Sequence, residues 1–153
     1  MTNEIKEIIA IGSDHAGYKL KEEIKNYLEK LKYKYEDFGT YNEESVDYPD
    51  HAIKVIKALQ EGFDKGILIC STGIGMSIAA NKISGIRAAL CYTPEIAKQS
   101  REHLDSNVLV LGGKTLDEKV AKEIVAAWLS TPFSEEERHK RRINKIKEIE
   151  QLK

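Results

Sequence analysis

Cysteine, proline and long apolar runs are scarce in this chain of 153 residues. Its two cysteines, Cys70 and Cys91, are too few for a disulfide framework or a cysteine zinc site. No apolar run approaches the roughly 18 to 20 residues that a membrane-spanning helix requires. The first seven residues, MTNEIKE, are too polar for a secretory signal peptide. We therefore expect a cytoplasmic protein with reduced thiols and no membrane partner.

An excess of charge of either sign is also absent. The 24 Lys and Arg residues nearly balance the 25 Asp and Glu residues, which leaves a formal net charge of -1. The chain therefore lacks the global basic field that recruits nucleic acid. Its composition, 41% hydrophobic and 32% charged, is ordinary for a globular protein. The length fits one domain spanning residues 1–153.

Apolar runs typical of strands alternate with segments of helical period, which indicates a parallel sheet with crossover helices. The predicted strands are 8–12, 34–38, 66–70, 86–92 and 108–111. The predicted helices are 18–31, 47–59, 74–82, 94–103, 116–129 and 134–153. Run 66–70 is apolar throughout, as expected for a strand covered on both faces. The pattern predicts a three-layer α/β/α Rossmann-like domain with a five-stranded parallel sheet.

Ligands of such sheets bind outside the carboxyl ends of the strands. Asp14 and His15 follow the first strand, the turn Ser71–Gly75 follows the third, and His103 and Lys114 lie near the neighbouring strand ends. The tail helix differs, because its apolar stripe is thin and its charges are many. We expect this helix to extend to a partner subunit and complete its burial there.

The small residues of the Ser71–Gly75 turn allow successive backbone N–H groups to point at a phosphate or a developing oxyanion. A tight strand-to-helix turn without a ligand is the alternative. Two rival motifs fail. The dinucleotide pattern G-x-G-x-x-G places its third glycine where Ile78 stands, and a P-loop ending in Gly113-Lys114-Thr115 needs glycine at Val108.

Five side chains outside that turn each allow both a chemical and a structural interpretation. Cys70 precedes a helix N-terminus, which favours thiolate, but a cysteine that ends an apolar strand also suits core packing. His15 either faces the ligand edge or is structural. His103, as a helix-end histidine, is either solvated or functional. Arg138 and Arg142 share a helix face and suit one phosphate, or form a solvated basic surface.

Taken together, the segments resemble the ribose 5-phosphate isomerase B family, within a wider group that includes galactose 6-phosphate isomerase subunits. The resemblance covers nearly the whole chain. Its motifs are GSDHAG at 12–17, DYP at 47–49, ICSTGIGMSIAANK at 69–82, GIRA at 85–88, EH at 102–103, NV at 107–108, RH at 138–139 and Arg142.

This resemblance implies an aldose–ketose isomerase of the pentose phosphate pathway that uses no metal or other cofactor. Cys70 would transfer the proton between neighbouring carbons, His103 and Thr72 would open the furanose ring, and the backbone of Ser71–Gly75 would stabilise the enediolate. The residues implied to contact substrate are Asp14, His15, Tyr48, Ser71, Gly73, Ile74, Gly75, Lys114, Arg138 and Arg142. The two arginines would bind phosphate across the interface of a homodimer, which could pair further into a tetramer.

One position departs from the pattern. Leu104 stands where a polar asparagine contacting the substrate is expected after His103. This departure bears on substrate preference and rate more than on the class of reaction. Three alternatives to the ribose 5-phosphate reaction stay open. In the first, the substrate is allose 6-phosphate or galactose 6-phosphate. In the second, the chain is a non-catalytic phosphate-binding module. In the third, the basic tail binds RNA, which conflicts with the near-neutral charge.

Overall fold

The computed structural model of the chain describes residues 6–152. Its strands are β1 (Ile8–Ser13), β2 (Lys34–Asp37), β3 (Lys65–Cys70), β4 (Ala88–Leu90) and β5 (Val108–Gly112). Its helices are α1 (Tyr18–Lys30), α2 (Tyr48–Gln60), α3 (Ile74–Ala80), α4 (Pro94–Leu104), α5 (Glu118–Ser130) and α6 (Glu137–Ile149). All strand pairings are parallel, and the strand order is β2-β1-β3-β5-β4. The predicted five-stranded parallel sheet is confirmed.

Alternate residues of the central strands point to opposite faces of the sheet, so the strands are covered on both sides. The odd positions Ile67 and Ile69 of β3 pack in one core with α1, α4 and α5, where Trp128 is fully buried. The even positions Leu68 and Cys70 pack in a second core with α2 and α3. The order of layers is therefore helix, sheet, helix, which is the predicted three-layer arrangement.

Helix α6 is shorter than the predicted segment 134–153, whose last residue lies outside the described part of the chain. Its first turns pack on the same chain, because the side chains of His139 and Ile143 are buried. Towards its end the apolar residues Ile149 and Leu152 are exposed. The first half of α6 is thus buried within its own chain, and the expectation that the helix completes its burial against a partner subunit stays a prediction for its exposed second half.

No helix in the described range 6–152 combines the length and apolar character needed to cross a membrane.

Candidate active site

Three loops meet through their backbones at the carboxyl edge of the sheet, after β1, β3 and β5. The Asp14 N–H donates to the Ile69 carbonyl over 3.2 Å, and the Gly113 N–H donates to the Cys70 carbonyl over 2.7 Å. The approach is close enough that a Cβ added at Gly17 would lie 2.4 Å from the Ile69 oxygen. We call loops 14–17, 71–75 and 113–114 the three-loop floor. Glycine permits its construction, because a larger residue would separate the loops.

Loop 71–75 uses its carbonyl groups within the protein and leaves its donors free. The Ser71 carbonyl accepts the Lys114 N–H (2.9 Å), and the Thr72 carbonyl accepts the Tyr92 hydroxyl (2.7 Å). Within residues 6–152, the N–H groups of Ser71, Thr72, Gly73 and Gly75 have no protein acceptor. Free N–H groups converging on one point form an anion-binding concavity. The loop therefore offers donors to a phosphate or an oxyanion.

The backbone of Gly73 explains why this loop turns sharply into α3. Its φ of 86° lies in the left-handed region, which L-residues with a side chain adopt at a cost. A Cβ on Gly73 would also lie 2.4 Å from Leu90 Cδ1. Thr72 supports the turn, since its Oγ1 accepts the Ile74 N–H over 3.2 Å. That bond leaves the Thr72 hydroxyl proton available to a ligand.

The two cysteines occupy different environments. Cys70 is the last residue of β3, immediately before the loop 71–75 with its free N–H groups, and is 4% exposed. Cys91 is fully buried on the opposite face of the sheet. Burial raises the pKa of the Cys91 thiol to about 11, although the Ser100 hydroxyl opposes that rise. Cys91 is therefore a core thiol, as predicted, and Cys70 is the thiol at the candidate site.

Asp14 and His15 lie on the three-loop floor, where the structure fixes the orientation of both. Asp14 is buried, and its Oδ1 accepts the Gly17 N–H over 3.0 Å. The Nδ1 atom of half-buried His15 accepts the Val46 N–H over 3.1 Å. Because Nδ1 is thereby an acceptor, the neutral ring carries its proton on Nε2. His15 is therefore oriented to donate a hydrogen bond to a ligand from Nε2.

Tyr48 covers the start of α3. A Cβ added at Gly75 would lie 2.7 Å from Tyr48 Cζ and 2.9 Å from Cε2, so the ring rests on the Gly75 backbone. The Asp47-Tyr48-Pro49 segment begins α2, with Pro49 in its first turn as the sequence predicts. The aromatic ring forms one wall beside the free N–H groups and limits the access of water to them.

A second group of the predicted residues lies around a cleft of about 390 Å³ between β4, α4 and α6. His103 and Arg142 line this cleft together with the apolar residues Leu90, Ile96 and Leu104. Arg138 is exposed nearby, and its Nε donates to Glu136 Oε2 over 2.9 Å. The cleft thus combines a histidine, a guanidinium group and an apolar lining.

Within the described residues, no hydrogen bond or ion pair joins the His103 cleft to the three-loop floor. Leu90 is the point of contact between them, since it packs on Gly73 and also lines the cleft. Lys114 belongs to the floor through its backbone, and its side chain is exposed. One chain therefore carries the predicted site residues in two separate groups.

The sequence did not single out two side chains that contact the site. The Tyr92 hydroxyl holds the Thr72 carbonyl, and the buried His139 ring stacks on His103 with 4.2 Å between ring centroids. Tyr92 is the last residue of the predicted strand 86–92, so the rule that ligands bind at strand ends would have found it. His139 belongs to a motif of the family resemblance, but its contact with His103 could not be read from the sequence, because a contact between α4 and α6 depends on tertiary packing.

The described residues contain no cluster of three or more His, Cys, Asp or Glu side chains suited to holding a metal ion.

Comparisons with known proteins agree with this geometry. The profile of the Ribose/Galactose Isomerase family matches residues 9–146. The chain is similar to the crystal structure of a ribose 5-phosphate isomerase from Thermotoga maritima, with 54% identity and a TM-score of 0.90 over 93% of this chain and 98% of that one. It is 46% identical to ribose-5-phosphate isomerase B of Escherichia coli, over 94% of this chain and 96% of that protein. It is also 40% identical to the D-erythrulose-4-phosphate isomerase of Pectobacterium atrosepticum, over 82% of this chain and 84% of that protein.

Proposed function

Because the chain belongs to the Ribose/Galactose Isomerase family, we propose that it is an aldose–ketose isomerase that interconverts D-ribose 5-phosphate and D-ribulose 5-phosphate. The names of the Thermotoga maritima and Escherichia coli relatives support this substrate. The observation that carries the proposal is the position of Cys70 at the end of β3, immediately before loop 71–75 with its free N–H groups. A base beside an oxyanion-binding loop is what proton transfer next to a carbonyl requires.

The reaction moves one proton between two carbons. In the open-chain aldose, the Cys70 thiolate removes the proton from C2, and the electron pair of that C–H bond forms the enediolate. The N–H groups of loop 71–75 stabilise the negative charge that develops on oxygen. Cys70 then returns the proton to C1, while a proton moves from the oxygen on C2 to the oxygen on C1. The product is the ketose, and the enzyme returns to its starting state.

Ring opening precedes this step, because the closed furanose has no carbonyl to make its C2 proton acidic. We assign it to His103, with the Thr72 hydroxyl as its partner. The Thr72 Oγ1 atom already accepts a hydrogen bond from the Ile74 N–H, so its own proton points elsewhere. Asp14 and the Nε2–H of His15 hold the sugar hydroxyl groups, and Tyr48 covers them.

Phosphate binding falls to Arg138, Arg142 and Lys114, all of which are exposed. The phosphate group lies far from the reacting carbons, so its binding energy orients the substrate without entering the chemistry. The interaction of Arg138 with Glu136 is a surface ion pair, which contributes little to stability. Arg138 is therefore free to exchange Glu136 for a phosphate at small cost.

A homodimer explains why one chain holds its site residues in two groups. The His103 cleft of one subunit would complete the three-loop floor of its partner. Exposed apolar side chains beside both groups support such an interface, among them Ile74 (52% exposed) and Ile78 (58% exposed). The two arginines would then act in trans.

Complementation tests this arrangement. Cys70→Ala and Arg142→Ala proteins are each expected to be inactive. After subunit exchange, about half of the dimers should be heterodimers, and each heterodimer contains one intact site out of two. The mixture should therefore regain about a quarter of wild-type activity. A mixture that stays inactive, in the presence of demonstrated heterodimers, would place both residues of a site in one chain.

Leu104 is the residue that bears on how many carbons the preferred sugar phosphate has. It is 41% exposed, lines the cleft beside His103 and offers the substrate no hydrogen bond. The purified protein should be assayed in EDTA with ribose 5-phosphate, D-erythrulose 4-phosphate, allose 6-phosphate and galactose 6-phosphate. We expect the pentose phosphate to be converted fastest. Conversion of only another sugar would change the substrate and keep the mechanism, whereas no conversion at all would favour the phosphate-binding module.

A further inference from the structure

The His103 ring is held by packing and not by hydrogen bonds. It stacks on the His139 ring, with centroids 4.2 Å apart and 27° between the ring planes. Within residues 6–152, neither ring nitrogen of His103 has a hydrogen-bond partner. Both nitrogens are therefore available to a ligand, and the stacked ring is the contact that restricts the orientation of His103.

His139 is itself firmly held. The residue is 3% exposed, and its Nδ1 lies 2.6 Å from Ser134 Oγ. Ser134 is anchored in turn, because its N–H donates to the Glu102 carbonyl over 3.1 Å. The contacts that support the His103 ring therefore form a closed path. The path runs from Glu102, the preceding residue, to Ser134 and His139, and the His139 ring on α6 then stacks on His103. Such a closed chain of contacts fixes one ring relative to the other.

The charges around the pair favour a neutral His139. Burial lowers the pKa of His139, and the neighbouring His103 lowers it further. Arg138 and Arg142 act in the same direction, while Glu136, with Oε2 4.0 Å from Nδ1, opposes them. A neutral His139 does not repel a proton that arrives on His103, and its π face attracts the resulting cation.

We propose that His139 is a positioning residue, which holds the His103 ring by stacking in the orientation required for proton transfer to and from the sugar ring. This inference rests on the proposed function, in which His103 opens the furanose. An acid–base group must lie within hydrogen-bond reach of the atom it serves. Without the His139 ring, His103 would turn freely about its side-chain bonds and lose that alignment.

Two substitutions separate the ring from the hydrogen bond. His139→Phe keeps a ring for stacking and loses the bond to Ser134, whereas His139→Asn keeps a polar group near Ser134 and loses the ring. His139→Asn should lower kcat for ribose 5-phosphate by about 10- to 100-fold, as expected for a misplaced reacting group. His139→Phe should keep kcat within about threefold, because the stacked contact survives. Asn144→Ala, an exposed change on the same helix, is the control.

A double-mutant cycle asks whether His139 acts through His103. In a His103→Gln background, His139→Asn should cause no further loss of kcat, since the group that it positions is already gone. An unreduced loss in that background would overturn the proposal. Equal losses for His139→Phe and His139→Asn would overturn it as well, because they would assign the effect to the hydrogen bond or to general disruption.

A substrate without a ring supplies a second kinetic test. In D-erythrulose 4-phosphate the terminal hydroxyl carries the phosphate, so no furanose can form and no ring opening is needed. If the wild type converts this sugar, His139→Asn should slow its turnover far less than that of ribose 5-phosphate. Equal slowing of both sugars would contradict a role in ring opening. If the wild type does not convert it, the variant comparison and the cycle decide.

A spectroscopic readout makes the inference testable even if the proposed function fails. At one fixed pH, the proton NMR resonance of the His103 ring, assigned by its loss in His103→Gln, should move in His139→Asn because the ring current of residue 139 is removed. Ser134→Ala, which keeps both rings, should move it less and serves if His139→Asn does not fold. An unmoved resonance would refute the stacking. Wild-type protein that converts no sugar phosphate would refute the proposed function alone.

Discussion

Replacing each cysteine by alanine in turn should separate catalysis from packing. Cys70→Ala removes the proposed base and should lower kcat by about 100- to 10,000-fold, the range for loss of a positioned acid–base group. That factor corresponds to about 3 to 5 kcal/mol of transition-state stabilisation. KM should change little, because the free N–H groups of loop 71–75 and the phosphate-binding side chains remain.

Cys91→Ala is the matched control, since both thiols are buried at or near the ends of strands but only Cys70 immediately precedes loop 71–75. Removing the Cys91 sulfur leaves a small void in the core and should cost about 1 kcal/mol of stability. Its turnover should match that of the wild type. The thiol of Cys91, with a pKa of about 11, should also resist alkylation at neutral pH, because the thiolate is the reactive form.

The assay measures the initial rate of ribose 5-phosphate conversion by detecting the ketose product. Thermal unfolding of each variant is measured in parallel. Alkylation with iodoacetamide, with and without ribose 5-phosphate, reports on access to Cys70. The reasoning is refuted if Cys70→Ala keeps more than about a tenth of the wild-type kcat while folded, since that loss is smaller than a general base supplies. It is also refuted if Cys91→Ala loses activity to the same degree.

Two further predictions concern Gly75 and Asp37. Gly75→Ala places a Cβ 2.7 Å from Tyr48 Cζ, so the ring must move and kcat/KM should fall about 10- to 100-fold; unchanged steady-state kinetics would show that the Tyr48 wall is dispensable. Burial alone would raise the pKa of Asp37, but hydrogen bonds from Lys21 and Lys25 outweigh it and lower the pKa below its ordinary 3.8. A carboxyl group whose pKa is lower in the folded state than in the unfolded state stabilises the fold at pH values above its unfolded-state pKa. That contribution is lost as the pH falls through the folded-state pKa. Urea unfolding should therefore show Asp37→Asn to be less stable by about 3 kcal/mol at neutral pH, with the difference shrinking below about pH 4; a constant difference would contradict this linkage.

The sequence predicted the fold well where periodicity and small residues carry the signal. All five strands and six helices were expected, and most ends differ by one or two residues. Strand β4 is shorter than the predicted run 86–92, because only Ala88–Leu90 pair with β5 at the edge of the sheet. The three-loop floor follows from strand-end residues that the sequence also identified.

Contacts between distant segments were beyond sequence reasoning. Nothing in the charged segment around His139 indicates that this side chain is buried while Arg138 beside it is exposed. The burial of His139 depends on the path of residues 131–136, because the hydrogen bond between Ser134 and Glu102 holds the segment that precedes α6. The same packing shortens the predicted tail helix, which begins at Glu137 and not at residue 134.

The three-loop floor has a consequence for how this site tolerates mutation. Its charge-stabilising groups are backbone N–H groups, which every residue except proline supplies, so the chemistry there depends on conformation more than on side-chain identity. A deep mutational scan should therefore find Ser71 permissive, although it sits beside the reacting atoms. Gly17 and Gly112, where an added Cβ would collide with the backbone of another loop or strand, should be among the least replaceable positions. Apart from the catalytic Cys70, the strictest demands on residue type at this site therefore fall on glycines that hold the loops together.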